Sequence, residues 1–432
     1  MTNIYDPLVR MDKDFKPIPS IAEKWEISED GLEYIFYIKK GVKFHNGDDM
    51  KLSDVLFSVE RGMESPQASP SFSRVVGVEA VGDNAIKIIL DGPYSQMLAN
   101  LALPVAGIVS EKVVKELGDS YGRNPIGTGP YKLSSWVSGE KVVLDAFDDY
   151  HEGPASIKKV EFITITDKSA GVISLERGDI DAYVDININD FKRVEQNANL
   201  TLHKGETFGY HYIGLTVTKP PFDNVKVRQA IAHSVDKVAI VEGILEGDGE
   251  IIDTFATNKI MGYTDKVQKY PYDLEKAKEL LAEAGYPNGF EIDISVASDL
   301  YAKFALVLQN SLSQIGVKTN VKQMERSAWE VAAEGGEAGI IIYGATFAAP
   351  DLDSGIYDLV HSSAIGVRNY SLYSNPKIDE LFDAARKTIN VEELNKLYEE
   401  ALIIISQDVP AIPVAWRYVN IATKKDLKNV YT

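Results

Sequence analysis

The chain has 432 residues, 45% of them apolar, enough to bury sizeable cores and to form two or more lobes. Its 45 basic and 64 acidic side chains give a formal charge of −19, spread along the sequence, which argues against nucleic acid or an anionic membrane surface as a partner. Cysteine is absent, so thiolate zinc sites, disulfides and thiol catalysis are excluded, and no apolar run is long enough to span a bilayer.

From the N-terminus, Ile4 to Arg10 is a short apolar segment broken by Pro7, and a helix start is expected at Ser20, with Ala22, Trp25 and Ile27 following. Ser28-Glu29-Asp30-Gly31 signals a turn, and Leu32 to Ile38 alternates as a strand. Ser53-Asp54 is expected to cap a helix from Val55 to Arg61, followed by a Ser/Pro-rich loop, Ser65 to Ser73. Strands are predicted at Val75 to Val81 and Ala85 to Leu90, joined at Gly82-Asp83-Asn84. Pro93 to Leu103 reads as a helix, and Val113 to Leu117 as part of another. Asn124 to Trp136 holds a glycine-rich turn, Gly127-Thr128-Gly129-Pro130. A lysine-serine pair does not follow it and proline removes an amide, so a structural turn is preferred over a phosphate cradle.

Val142 to Asp145 and Lys158 to Ile165 read as strands, Ser169 to Arg177 as a helix, Gly178 to Ala182 as a strand entry, Phe191 to Gln196 as a short helix and Leu200 to His203 as a strand. Tyr210 to Val217 is an aromatic, alternating run, stopped by Pro220-Pro221. Asp223 or Asn224 then caps a helix whose apolar positions are Val227, Ala230, Ile231 and Val235. The glycines of Ile240 to Gly249 follow a helix and have the wrong spacing for a nucleotide loop, so they read as a turn. Asp273 heads an amphipathic helix, Lys276 to Ala284. Strand Glu291 to Val296, helix Ala302 to Ile315, strand Lys318 to Lys322, a helix around Trp329 and the buried strand Gly339 to Tyr343 spell β-α-β-α-β, which predicts a mainly parallel sheet. Glu392 to Ser406 is a long helix, and Val409 to Val414 a chain return.

Many of these segments, in this order, resemble the extracellular solute-binding proteins of family 5, the peptide and nickel receptors of ABC importers. The most specific is PSIAEKWEISEDGLEYIFYIKKGVKFHNGDDMKLSDVLFSVER. PFDNVKVRQAIAHSVDK, PIGTGPY, YDLEKAKELLAEAGYPNGF and NYSLYSNPKIDEL are similar to further family signatures. The resemblance implies an α/β, two-lobed periplasmic-binding-protein-like fold (type II, large, cluster C-like) with a hinge between lobes. Boundaries are expected as a first lobe 1–257, with an inserted subdomain over roughly 20–115, a second lobe 258–409, and a return to the first lobe over 410–432. It also implies a monomeric, extracytoplasmic receptor, in the periplasm or as a cell-surface lipoprotein, that takes a small peptide or peptide-like solute to a membrane permease. Relatives carry a further strand-forming segment before the position of Ile4, so part of the first lobe's sheet is expected to be missing from this chain.

Residues at the ends of parallel strands and beside glycine are the candidates for ligand contact. These are Tyr210, His211, Tyr212, Tyr343, Thr346, Phe347, Asp351, Asp353, Arg368, Asn369 and Trp416. Peptide-binding relatives typically carry tryptophan at the position of Tyr343 and, three residues on, an aspartate that holds the peptide's α-amino group; Thr346 stands there instead. Either the anchor moves to Asp351 or Asp353, or the ligand lacks a free N-terminus, and the second is preferred. No catalytic residue, cofactor or metal is assigned. None of the six histidines pairs at helical spacing with another histidine or a glutamate, and the Asp351-Leu352-Asp353 run lacks a calcium loop's later glutamate. The alternatives are a nickel or metallophore receptor, which would use His211 or His361, and an enzyme or scaffold on the same fold.

Overall fold

Two short strands open the chain in the computed structural model, β1 (Val9–Met11) against β2 (Pro17–Pro19); the structure describes residues 1–12, 16–184, 186–347, 351–388 and 390–430. Strands β3 (Ala22–Ile27), β4 (Glu33–Ile38), β5 (Val75–Val81) and β6 (Ala85–Leu90) form an antiparallel sheet in the order β3-β4-β6-β5. Phe36, Ile86 and Ile88 on this sheet meet Val55 and Val59 of the helix Leu52–Glu64 in one core. Strands β7 (Tyr131–Val137), β8 (Lys141–Ala146) and β9 (Lys159–Ile163) form a second antiparallel sheet. These elements belong to one compact unit, Met1–Thr166 with Arg386–Ile389.

Several expectations are corrected here. The segment after Ser20 is a strand, because Trp25 pairs with Phe36 and Ala22 with Ile38 across the turn; pairing with an apolar neighbour outweighs a weak helical start. The helix expected from Val55 begins at Leu52, and the one expected over Pro93 to Leu103 is confined to Met97–Leu101. The glycine-rich turn is tied to the N-terminal segment, with Gly129 N–H donating to Ile4 O at 2.9 Å, in keeping with a structural role.

The second unit, Asp167–Ala385 with Asn390–Thr432, is built on one seven-stranded sheet among the described residues. Its strands are β10 (Ala182–Val184), β11 (Leu200–Leu215), β12 (Gly249–Ile251), β13 (Glu291–Val296), β14 (Lys318–Gln323), β15 (Ile340–Thr346) and β16 (Ala411–Lys424). The order is β10-β16-β11-β15-β13-β14, with β12 also on β16. Only β13 runs parallel to its neighbours β14 and β15; the other pairs are antiparallel, so the expected mainly parallel sheet is a mixed one. Two predicted strands, Leu200 to His203 and Tyr210 to Val217, are one 16-residue strand, whose register with β16 shifts between Glu206 and Tyr210.

Alternation along β11 and β15 explains why both faces are covered. Tyr210, Tyr212 and Ile341 enter one core; Ile213, Leu215, Ile340 and Ile342 enter the other. The helices Val225–His233, Leu274–Glu283 and Asp299–Gln314 bury Ile231, Leu281 and Phe304 in the second core. Arg326–Glu334, Leu352–Val360, Pro376–Lys387 and Val391–Asp408 bury Trp329, Ile356, Phe382 and Tyr398 in the first. The lobe boundaries expected at 257/258 and 409/410 run through this sheet, with β11 and β16 on one side and β15 on the other.

Candidate functional site

The strand register brings most of the expected residues together at one end of β15. Gly209 stands opposite Thr346, His211 opposite Gly344, and Tyr212 opposite Tyr343. On the other side of β11, Tyr210 stands opposite Trp416 of β16. Tyr210, Tyr212, Phe347 and Trp416 are nevertheless buried, at 0, 2, 3 and 1% exposure, in the first core. Tyr210 stacks on Trp416 with ring centres 6.1 Å apart, and Phe347 closes the triangle at 5.7 and 5.5 Å. The Tyr210 hydroxyl donates to Gly355 O at 2.9 Å. Such pairs contribute about 0.5–1.5 kcal/mol each beyond their buried area, so these four rings help to hold β11, β15 and β16 together at this end. Trp416 Nε1 lacks a hydrogen-bond partner among the described residues.

Tyr343 is half-buried. Its ring lies 4.9 Å from that of Trp329, the Arg326 guanidinium lies 4.6 Å from its centre, and its hydroxyl accepts a hydrogen bond from Arg326 Nη2. Arg326 is in turn bound to Glu330 at 2.7 Å.

His211 lies on the opposite face of β11, with Nδ1 3.2 Å from the Tyr301 hydroxyl and its ring 5.3 Å from Phe304. Burial, helped by the charge of Arg417, pushes its pKa down to about 3, so the imidazole is neutral at physiological pH. Burial pushes the Tyr301 phenol up to about 12, keeping it protonated. Thr346 and Arg417 are exposed.

The remaining expected residues lie on the helix Leu352–Val360, at its start and in the loop that follows it. Asp351 is buried and caps the helix Leu352–Val360, its side chain accepting from Ser354 N–H at 3.0 Å. Asp353 is buried in the first turn of that helix, where its charge meets the helix N-terminus favourably. Asn369 is fully buried and staples its own loop, donating to His361 O and Tyr373 O and accepting from Tyr373 N–H. Arg368 is exposed and lies 3.7 Å from Asp358. Their neighbour Tyr370 does reach the cluster, 5.2 Å from the Trp329 ring. His361, weighed as a metal ligand, is buried with Nδ1 2.8 Å from Ser363 Oγ.

Sequence reasoning missed Tyr301, Arg326, Trp329 and Arg417 as parts of this constellation. They come from two helices and a third strand, and only folding places them here. The available signal was the pair of glycines, Gly209 and Gly344, beside aromatic residues on neighbouring strands. Among the described residues, His, Cys, Asp and Glu do not gather in a group of three or more that could hold a metal ion. Nor is any described helix long and apolar enough to cross a membrane.

The model of the bacterial extracellular solute-binding proteins of family 5 matches residues 16–366. Heme-binding protein A of Haemophilus influenzae is 33% identical, covering 95% of this chain and 81% of its own. Glutathione-binding protein GsiB of Pectobacterium atrosepticum is 32% identical, covering 99% and 86%. The solved ABC transporter-associated periplasmic binding protein DppA from Helicobacter pylori, in complex with the peptide STSA, is 32% identical and superposes with a TM-score of 0.84, covering 99% of this chain and 89% of that one.

Proposed function

Because the chain belongs to the bacterial extracellular solute-binding proteins of family 5, substrate-binding components of ABC importers, we propose that it captures a small peptide or peptide-like solute and passes it to a membrane permease. The observation that carries the peptide reading is the peptide-bound structural relative, whose likeness extends over 99% of this chain. Glutathione, itself a small peptide, is named for another relative of similar identity. The receptor acts as a monomer outside the cytoplasm, in the periplasm or anchored at the cell surface. Its place is that of a carrier that binds and releases, with no chemical step of its own.

Capture proceeds by hinge closure over the solute, but not along the line expected between 1–257 with 410–432 and 258–409, because β11 and β15 pair at seven positions across it. Closure removes water and strengthens the polar contacts made to the solute. Thr346 is exposed at the position where the family resemblance implies an amine-binding aspartate, and on that ground the solute is taken not to depend on a free N-terminus for its grip.

Native mass spectrometry of the purified full chain is expected to show a carried-over solute of peptide mass. Calorimetry with short peptides is expected to give binding to N-acetylated as well as free forms. A clear preference for free N-termini would remove the claim about the amine, and failure of every peptide to bind would remove the peptide reading.

A further inference from the structure

His361 stands at the start of a compact loop that ends beside the aromatic cluster of the second unit. The residue is 6% exposed, and its ring is stacked on Tyr357 with centres 4.2 Å apart. Its carbonyl accepts from Ala364 N–H at 3.1 Å and from Asn369 Nδ2 at 3.1 Å, so the loop closes on it from both ends. Its Nδ1 accepts from Ser363 N–H at 3.1 Å and caps the one-turn helix Ser362–Ala364. Just past the loop, the Tyr370 ring lies 5.2 Å from that of Trp329 and 6.1 Å from that of Tyr343.

The other ring nitrogen is unspent. Nε2 is buried and has no hydrogen-bond partner among the described residues, yet two carboxylates of the helix Pro376–Lys387 face it. Asp383 Oδ1 is 3.6 Å away and Asp379 Oδ1 3.7 Å, one helical turn apart. Those distances are too long for a hydrogen bond but within reach of an ion pair. Asp379 is also tied to the same short turn, accepting from Ser362 N–H at 2.9 Å and from Ser362 Oγ at 2.5 Å. On the flanking helix, the Tyr357 hydroxyl lies 3.2 Å from Ser363 Oγ, and Asp358 lies 3.7 Å from the exposed Arg368 of the loop.

Neutral and cationic His361 cannot make the same contacts. While Nδ1 accepts, the proton of the neutral ring sits on Nε2. A second proton has to go to Nδ1, where it meets the Ser363 N–H donor to donor and removes the cap. It also places a full charge beside two carboxylates, which draws Nε2–H toward them and sets the ring in competition with Ser362 for Asp379.

We propose that His361 is an acid-sensitive latch: on protonation its ring trades the cap on Ser362–Ala364 for pairing with Asp379 and Asp383, and the loop 362–368 slackens. The two-state element is the one-turn helix, and the loop it starts leads to the tyrosine that packs on Trp329 and Tyr343. The latch is independent of which solute the protein carries, and it adds a response to acid in the surroundings.

The test is amide exchange of the full chain at pH 7.5 and pH 5.5, across the range in which imidazoles change charge, corrected for the intrinsic effect of pH on exchange and with the His361 ring followed by NMR. Protection over residues 362–368 is expected to fall roughly tenfold at pH 5.5, the scale of a lost cap, in step with the His361 resonance, whereas the helix Leu274–Glu283 of the same unit keeps its protection. His361→Asn sets a neutral acceptor where Nδ1 stands, so the cap stays and the acid response is expected to vanish. Asp383→Asn, at a half-exposed side chain, is expected to need more acid for the same release. Equal protection at both pH values in the native protein, or the same fall in His361→Asn, overturns the latch. Should His361→Asn not fold, Asp383→Asn decides, and an unchanged response to acid there overturns the latch as well. Solute binding plays no part in these measurements, so their failure leaves the peptide reading standing.

Discussion

His211 offers a quantitative check on the packing of the second unit. Its side chain is 4% exposed, wedged against Phe304 and Tyr301, and its pKa is pushed down to about 3. In the unfolded chain the same imidazole titrates near about 6.5. The folded value lies below the unfolded one, so in acid the unfolded chain takes up a proton that the folded protein refuses. Stability is therefore unaffected above about pH 6.5 and is lost as the pH falls from there toward about 3, at about 1.4 kcal/mol per pH unit. At pH 5 the loss from this one residue is about 2 kcal/mol. Carboxylates also titrate in acid, so the measurement is a double difference: urea unfolding of the native protein and of His211→Gln, each at pH 7.5 and pH 5. The stability gap between the two proteins is expected to move by about 2 kcal/mol in favour of the variant at pH 5. A gap that stays constant across the two pH values would refute the argument, as would an imidazole resonance of His211 that titrates above pH 5.

Two other substitutions test the scaffold. Trp329 is fully buried, lies tilted against Tyr343 and edge-to-face with Tyr370, and donates Nε1–H to Ser295 O at 3.1 Å; Trp329→Ala is expected to cost about 3–5 kcal/mol in urea unfolding, with Trp329→Phe costing less. Asp54 accepts from Lys51 N–H at 2.8 Å and from Glu111 N–H at 2.9 Å, tying the starts of two helices together in the first unit. Asp54→Ala is expected to destabilise that unit by about 1–3 kcal/mol, read by amide exchange in the helices Leu52–Glu64 and Glu111–Leu117, and protection left unchanged there would count against it.

Local pattern was a good guide wherever an element's own periodicity agreed with its surroundings. Val75 to Val81 and Ala85 to Leu90 are strands with the expected bounds, because alternating apolar residues joined by Gly82-Asp83-Asn84 have a partner already at hand. Asn224 and Asp273 cap the helices they were expected to cap, since capping is a matter of a few neighbouring atoms. The family was legible for a related reason: its signatures are turns, caps and helix faces spread along the chain, each readable without the others.

What the sequence by itself determined, then, was the set of local elements, the kinship of the chain and the strand on which ligand contact was expected. Only the tertiary structure decided that the run after Ser20 is a strand, that the sheet is mixed, and that Tyr210, Tyr212, Phe347 and Trp416 turn into the core while Thr346 and Arg417 face outward. The physical reason is that burial and strand partnership depend on residues far away in the chain. A tyrosine at position 210 looks the same in sequence whether or not Trp416 comes to lie over it.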